Sequence, residues 1–192
     1  MKKLILMTII IGLALLFQRC SFKKDLTNPY PLNKQNLVEL NGRYEVVDSK
    51  FDSLQGKRQI WMYNNFFREI DRKLLKDTLK LDSSETYSCE LEIIDSKNLK
   101  INYLKNETII RTRTLKTKLK KDGYLYLKNR NTVFILVPYI AGALDVKKIR
   151  LTRSTEGNLL FDVVNHRSGA FLIVAFLDGR TWKYRNEYRE VN

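Results

Sequence analysis

Between residues 87 and 191, short hydrophobic runs alternate with clusters of turn residues, and that rhythm predicts the architecture. Turn chemistry recurs at Asp95-Ser96-Lys97-Asn98, Lys105-Asn106, Asp122-Gly123, Asn129-Arg130-Asn131, Glu156-Gly157-Asn158, Asn165 to Gly169 and Asp178-Gly179. Gly and Asn adopt φ > 0 cheaply, so such clusters between hydrophobic runs signal hairpins. The runs between them include Leu91-Glu92-Ile93-Ile94, Tyr124-Leu125-Tyr126-Leu127, and residues 132–137 and 171–177. They are β-branched or aromatic and too short for typical helices. Strands joined by tight turns must pair antiparallel, because a parallel crossover needs a dozen or more residues. The expected fold is therefore mainly β: an antiparallel up-and-down meander, curled into a barrel of roughly eight to ten strands.

The faces of these strands differ. Residues 147–153 place Ile149 and Leu151 opposite in phase to Lys148, Arg150 and Thr152, as in a half-buried strand. Residues 133–137 and 170–177 are apolar on both faces and need a second cover: a helix, a partner or a membrane. Upstream, residues 42–48 predict the first strand, with Tyr44 and Val46 on one face and Arg43, Glu45 and Val47 on the other. Residues 49–86 break the hairpin rhythm. There Ile60, Tyr63, Phe67, Ile70 and Leu74 recur every three or four positions, and Phe66 widens the stripe. That spacing predicts a helical insertion over about 56–76, although residues 59–63 also fit a strand. The helix either covers the doubly apolar strands or caps one mouth of the barrel, and its aromatic stripe suits a core better than a ligand box.

The first residues carry a different pattern. Lys2 and Lys3 precede an almost unbroken apolar run from Leu4 to Phe17, followed by Cys20. The run fits the roughly 7–15 residues of a signal h-region and falls short of the ~20 needed to cross a bilayer. Phe17-Gln18-Arg19-Cys20 resembles a bacterial lipobox, with Phe where Leu is usual and Arg where a small residue is usual. The resemblance implies that Cys20 becomes the lipid-carrying first residue of the mature chain; an uncleaved membrane anchor is the alternative. The expected organisation is a signal peptide at 1–19, a lipidated Cys20 with a flexible tether to residue 40, and a barrel domain at 41–192. The tether is polar and contains Pro29 and Pro31. Cys89 is the other of two cysteines and shares a strand phase with Leu91, which suits a small buried side chain rather than a reactive thiol.

Leu40-Asn41-Gly42-Arg43-Tyr44 opening a strand, a long first connection and then a run of β-hairpins together resemble the lipocalin-like barrels. Gly42 and Tyr44 stand where those families carry Gly-x-Trp, with Tyr in place of Trp. The resemblance implies a small envelope lipoprotein with a ligand cup. It also implies that a basic residue of the last strand, Arg185 or Arg189, packs on Tyr44. The helix departs from that pattern, since the family carries its main helix after the barrel.

The net charge is +14, of which the leader supplies only Lys2, Lys3 and Arg19. The densest basic run is Arg111, Arg113, Lys116, Lys118, Lys120 and Lys121, with no acid between Thr108 and Lys121. Its phase flips: a regular strand sends the arginines and the even-numbered lysines to opposite faces, and a bulge near Thr114 would bring them to one. The run suits a solvated face that blocks edge-to-edge aggregation. The alternative is attraction to anionic lipid head groups. An exported chain makes nucleic acid an unexpected partner.

No motif for catalysis stands out. A single histidine, His166, lies in an expected turn, which leaves neither a His-based triad nor a multi-His zinc site. The glycines form no phosphate-cradling loop, and the acids are scattered. Residues 138–144 are unusually apolar for a connection and suit a buried corner, a cavity lip or a membrane-dipping tip. A membrane-spanning barrel is not expected, because the strands at 109–121 and 145–153 carry too much charge. The sequence thus leads to a non-enzymatic module without a cofactor, anchored in a bacterial envelope, whose barrel holds a small apolar or amphiphilic ligand. The alternative is a filled barrel whose outer surface docks a partner protein or anionic lipid.

Overall fold

The computed structural model describes residues 22, 26–47, 65–70, 82, 84–128, 132–137, 141–171 and 175–191. Among them nine strands form one antiparallel sheet: β1 (Gly42–Glu45), β2 (Tyr87–Asp95), β3 (Asn98–Lys105), β4 (Thr108–Leu119), β5 (Leu125–Leu127), β6 (Thr132–Val137), β7 (Ala141–Arg153), β8 (Leu159–Phe171) and β9 (Ala175–Tyr188). Neighbours run β1-β2-β3-β4-β5-β7-β8-β9, and β6 lies beyond β5 on the same side of β7. The sheet curls until the chain end meets its beginning. Glu190 bridges Tyr44, Glu45 N–H donates to Arg189 O at 2.9 Å, and Val191 N–H donates to Arg43 O at 2.7 Å. The mainly β meander read from the sequence is the fold observed.

Turn chemistry explains several hairpins. Gly123 (φ +73°) and Gly157 (φ +95°) occupy left-handed positions, as does Asn106 (φ +44°). Two expected turns are strands instead. Residues 165–169 run through β8, where His166 pairs with Val146 and Thr181, and Asp178-Gly179 lies inside β9. The apolar run 170–177, expected as one strand, is split between the end of β8 and the start of β9, with Phe171 opposite Ala175. β7 begins at Ala141, so the expected connection at 138–144 is partly strand; residues 138–140 lie outside the described ones.

The helix expected after the first strand is present as α1 (Phe66–Ile70). The rest of the 56–76 stretch lies outside the described residues, including Ile60, Tyr63 and Leu74. Phe66, Phe67 and Ile70 are fully buried, and their partners decide what the helix does. Phe66 meets Phe161 and Tyr188, with ring centroids 5.6 and 5.2 Å away, and Phe67 meets Tyr103 and Tyr87 at 4.9 and 6.1 Å. These rings come from strands on both sides of the curl and share one core with Tyr44, Leu91, Leu99 and Leu151. Glu69 accepts hydrogen bonds from Lys147 and from the Tyr184 hydroxyl, tying the helix to β7 and β9. The helix is therefore a plug inside the sheet.

A second element closes the other end. A 3₁₀ turn at Leu37–Leu40 follows residues 28–36, and Leu32, Leu37 and Leu40 join the same core. Tyr44 is fully buried and its hydroxyl donates to Leu40 O at 3.2 Å; burial pushes this phenol well above its ordinary pKa, and Glu190 adds to the shift. The arginine expected on Tyr44 is not there. Arg185 lies on the outer face with Asp162, and Arg153, paired with Glu190 at 2.7 Å, is the cation felt by Tyr44. A Cβ at Gly42 would meet Glu190 Oε1 at 2.8 Å, so a side chain there would push the Glu190 carboxylate aside.

Cys89 behaves as a core residue. It is fully buried, its thiol donates to Tyr44 O at 3.6 Å, and desolvation pushes its pKa well up. Alkylation by iodoacetamide at pH 8, read on the Cys89 peptide, is expected to be at least ~100-fold slower in the native protein than in guanidinium. Comparable rates would place the thiol in solvent.

Candidate functional site

Two places were candidates from the sequence: the interior and the basic run. The interior-facing residues converge as an aromatic cluster, with α1 among them.

The basic run is divided by its register. β3 and β4 pair without interruption from Asn98↔Lys116 to Tyr103↔Arg111, so no bulge occurs at Thr114. The shift comes at Tyr103/Leu104, where Ile110 is the additional residue on β4. Leu115 and Thr117 are buried, and they set the inward phase of β4. Arg111 and Arg113 share that phase and lie opposite Tyr103 and Ile101, half-buried. Lys116, Lys118 and Lys120 alternate outward and are exposed, and Lys121 follows them in the turn. The expected single patch is thus two sets of cations, of which only the lysines form an outer face.

That face adjoins a corner of the sheet. The first part of β4 pairs with β3, and from Thr117 onward the strand pairs with β5. Thr117 N–H donates to Lys97 O at 2.7 Å, and Lys128 N–H donates to Lys116 O at 2.7 Å, so the two sides of the corner remain joined at its root. Between them opens a cleft of about 410 Å³, lined by Lys34, Lys97, Lys116, Lys118 and Lys128, with Ser96, Thr117 and Leu119. Asp95, the carboxylate beside it, is turned into its own hairpin: it accepts from Lys97 N–H and Asn98 Nδ2, each at 2.6 Å. Those bonds hold its pKa below the usual carboxylate range.

The chain upstream of the barrel positions both the cleft and the lysine face. Residues 26–40, expected as a flexible tether, instead lie strapped to the sheet. Asn28 Nδ2 donates to Asp122 O and Gly123 O at 3.1 and 3.0 Å, and Thr152 Oγ1 donates toward Asn28 Oδ1 and Tyr30 O at 2.8 and 2.7 Å. Leu32 N–H donates to Gly123 O at 2.9 Å. Beneath the strap, Lys118, Tyr126, Arg150, Asp162 and Arg185 form one cross-strand row. Asp162 accepts from Arg150 Nε at 2.9 Å and from Arg185 Nε at 2.6 Å, while Arg185 also donates to Thr27 O at 3.0 Å. Phe22 packs edge-on to Tyr126 at 5.5 Å and lies 4.5 Å from the Arg150 guanidinium. Lys120 Nζ sits 3.6 Å from the centroid of the same Tyr126 ring.

No family model, curated protein or solved structure matches this chain. The reading of the surface therefore rests on its geometry. Among the described residues, no helix is long and apolar enough to cross a membrane, and no group of His, Cys, Asp and Glu is placed to hold a metal ion. His166 Nδ1 is 2.8 Å from Thr181 Oγ1 across the β8–β9 pair.

Sequence reasoning named Lys116 and Lys118 but missed Lys34, Lys97, Lys128 and Thr117. Lys97 and Lys128 flank the two hairpins that meet at the β4 corner. The Asp122-Gly123 turn signal was the one local clue that Lys118 and Lys128 would come together.

Proposed function

We propose that this protein is a non-enzymatic envelope module, held at a membrane through the segment ending at Cys20, whose filled barrel presents its outer basic face to anionic lipid. The aromatic packing carries the reading: Phe66, Phe67, Tyr103, Phe161 and Tyr188 are buried in one cluster inside the curl, which favours a packed core over a cup. The position of Phe22 supports it further. The apolar N-terminal run ends shortly before Phe22, and Phe22 sits beside the lysine face on Tyr126. A segment embedded in a bilayer brings that face to the head groups, where each Lys or Arg near an anionic surface contributes about 1 kcal/mol of attraction.

The test combines fractionation with native mass spectrometry of the full chain. The wild type is expected in the membrane fraction and a chain that starts at Ser21 largely outside it, with no tightly held small molecule on the released barrel. A reproducible non-covalent mass that disappears on denaturation would overturn the reading in favour of a carrier.

A further inference from the structure

The geometry points to the far end of β6–β9 as a membrane-inserting arm, whose two hairpin tips enter the acyl region of one leaflet. The inward phase of β8 and β9 belongs to the core at Val163 and Tyr184. Further along the same phase Trp182, Arg167 and Arg180 are exposed, so there the sheet leaves the core. It continues as four strands, whose last described pairs are Val137↔Ala141, Ala141↔Phe171 and Phe171↔Ala175. Charge stops at one row: Asp145, Arg167 and Arg180 are paired across β7, β8 and β9, with Asp178 beside them. From that row to the tips, residues 133–144 and 168–177 carry no charge at all. Successive strand positions alternate between faces, so these runs are apolar on both. A second copy laid on the arm covers one face; a bilayer covers both. The row has the composition of a membrane interface. Trp182 is 38% exposed, and the Arg167 and Arg180 guanidiniums lie 5.8 and 6.0 Å from its ring. Such a ring suits the head-group boundary, with the guanidiniums on phosphates. Lys148 and Lys183 are exposed on the other phase, so cations border the arm on both sides. From Arg167 to Phe171 the strand rises ~13 Å at ~3.3 Å per residue, within the ~15 Å of hydrocarbon in one leaflet. Among the described residues no strand pairs with the outer edge of β6 or β9 at that end. Unpaired backbone is excluded from hydrocarbon, which limits the arm to shallow insertion of its tips.

This deepens the membrane-docking reading and rests on it only in taking the chain to lie at a bilayer, where the anchored segment keeps a short arm at high local concentration. The experiment is photolabelling of the full chain in nanodiscs of phosphatidylcholine and phosphatidylglycerol that contain a trace of lipid with a diazirine in its acyl chain. Trypsin releases the arm as two peptides, residues 131–147 and 168–180, and the opposite end of β8 within residues 154–167. Lipid adducts on both arm peptides are expected at about tenfold the level on residues 154–167. Ile140→Asp combined with Ile173→Asp places a charge in each tip connection and is expected to return the adducts to that level, with an unchanged urea midpoint. Arm peptides labelled no more than residues 154–167 overturn the insertion, and cross-links between isotopically distinct copies through Lys148 or Lys183 would then assign a dimer. Undiminished adducts in the double variant also overturn it, by showing lipid adsorbed on the surface. Flotation of the chain that starts at Ser21 scores the anchor separately. Lost flotation, with arm adducts on the full chain, supports both readings. Retained flotation with arm adducts keeps the insertion and removes the anchor, whereas flotation of the full chain without arm adducts leaves the anchor alone.

Discussion

Asp162→Ala is expected to cost about 3–5 kcal/mol, the range for removing one partner of a buried charge pair. The Asp162 side chain is 1% exposed, and the guanidiniums it holds, Arg150 and Arg185, are 9% and 14% exposed. Alanine leaves those two cations beneath the strap with no anion between them. Arg150 is also stacked 3.7 Å over Tyr124 and cannot swing into water without giving up that contact. For a domain of this size the loss corresponds to a fall in Tm of roughly 10 °C or more. The damage is expected to spread along the strap, because Arg185 also donates to Thr27 O and Tyr124 Oη. Hydrogen exchange at residues 26–32 should therefore accelerate more than exchange in β2 and β3. Replacing all three charges together, as Asp162→Leu with Arg150→Met and Arg185→Met, should recover much of the stability, because the penalty lies in the stranded cations. A loss below ~1 kcal/mol for the single variant would show the row to be screened like a surface pair.

What could be read from the sequence was what local physics enforces. Gly123 and Gly157 had to mark turns, because their positive φ suits few other residues. The stripe of Phe66, Phe67 and Ile70 had to be a helix face, because the same spacing on a strand would scatter those rings. The errors arose where the environment overrides composition. Asn165 to Gly169 has turn composition, yet there β8 is only partly buried and its polar side chains are tolerated within a strand. The run 170–177 contains no Gly, Pro or Asn to announce its reversal, so it read as one continuous strand. The phase of β4 was readable in principle, since Leu115 and Leu119 share the odd positions with Arg111 and Arg113. What hid it was the unknown position of the bulge, at Ile110 rather than Thr114. The strap was unreadable for a different reason. A polar stretch with two prolines resembles a linker until its partners are known, and Asn28 finds them almost a hundred residues away, at Asp122 and Gly123. Lys34 entered the cleft by the same long-range pairing.

Phe66→Ala is expected to cost about 3–5 kcal/mol, the range for truncating a buried phenylalanine. Phe66 is wholly buried and touches Phe161 of β8 and Tyr188 of β9, while its neighbour Phe67 reaches Tyr87 of β2 and Tyr103 of β3. The pair joins the two sides of the curl, whose direct closure is a few hydrogen bonds around Tyr44 and Glu190. Phe67→Ala should therefore be of similar severity. The double variant should fall short of the sum of the two, because one truncation already loosens the helix that presents the other ring. Equilibrium denaturation measures all three. The same variant also discriminates between the two uses of the barrel. If the interior is a packed core, Phe66→Ala leaves a destabilised apolar void that small apolar probes such as benzene or xenon enter, as they enter engineered cavities. If α1 were instead a displaceable lid over a cup, removing the ring would cost under ~1 kcal/mol and would strengthen the uptake of larger amphiphiles. The contacts on both sides of the helix favour the first outcome: displacing α1 would expose Phe66, Phe67 and Ile70 together, and at about 25 cal/mol per Å² three such side chains are too costly to expose for any weakly held ligand.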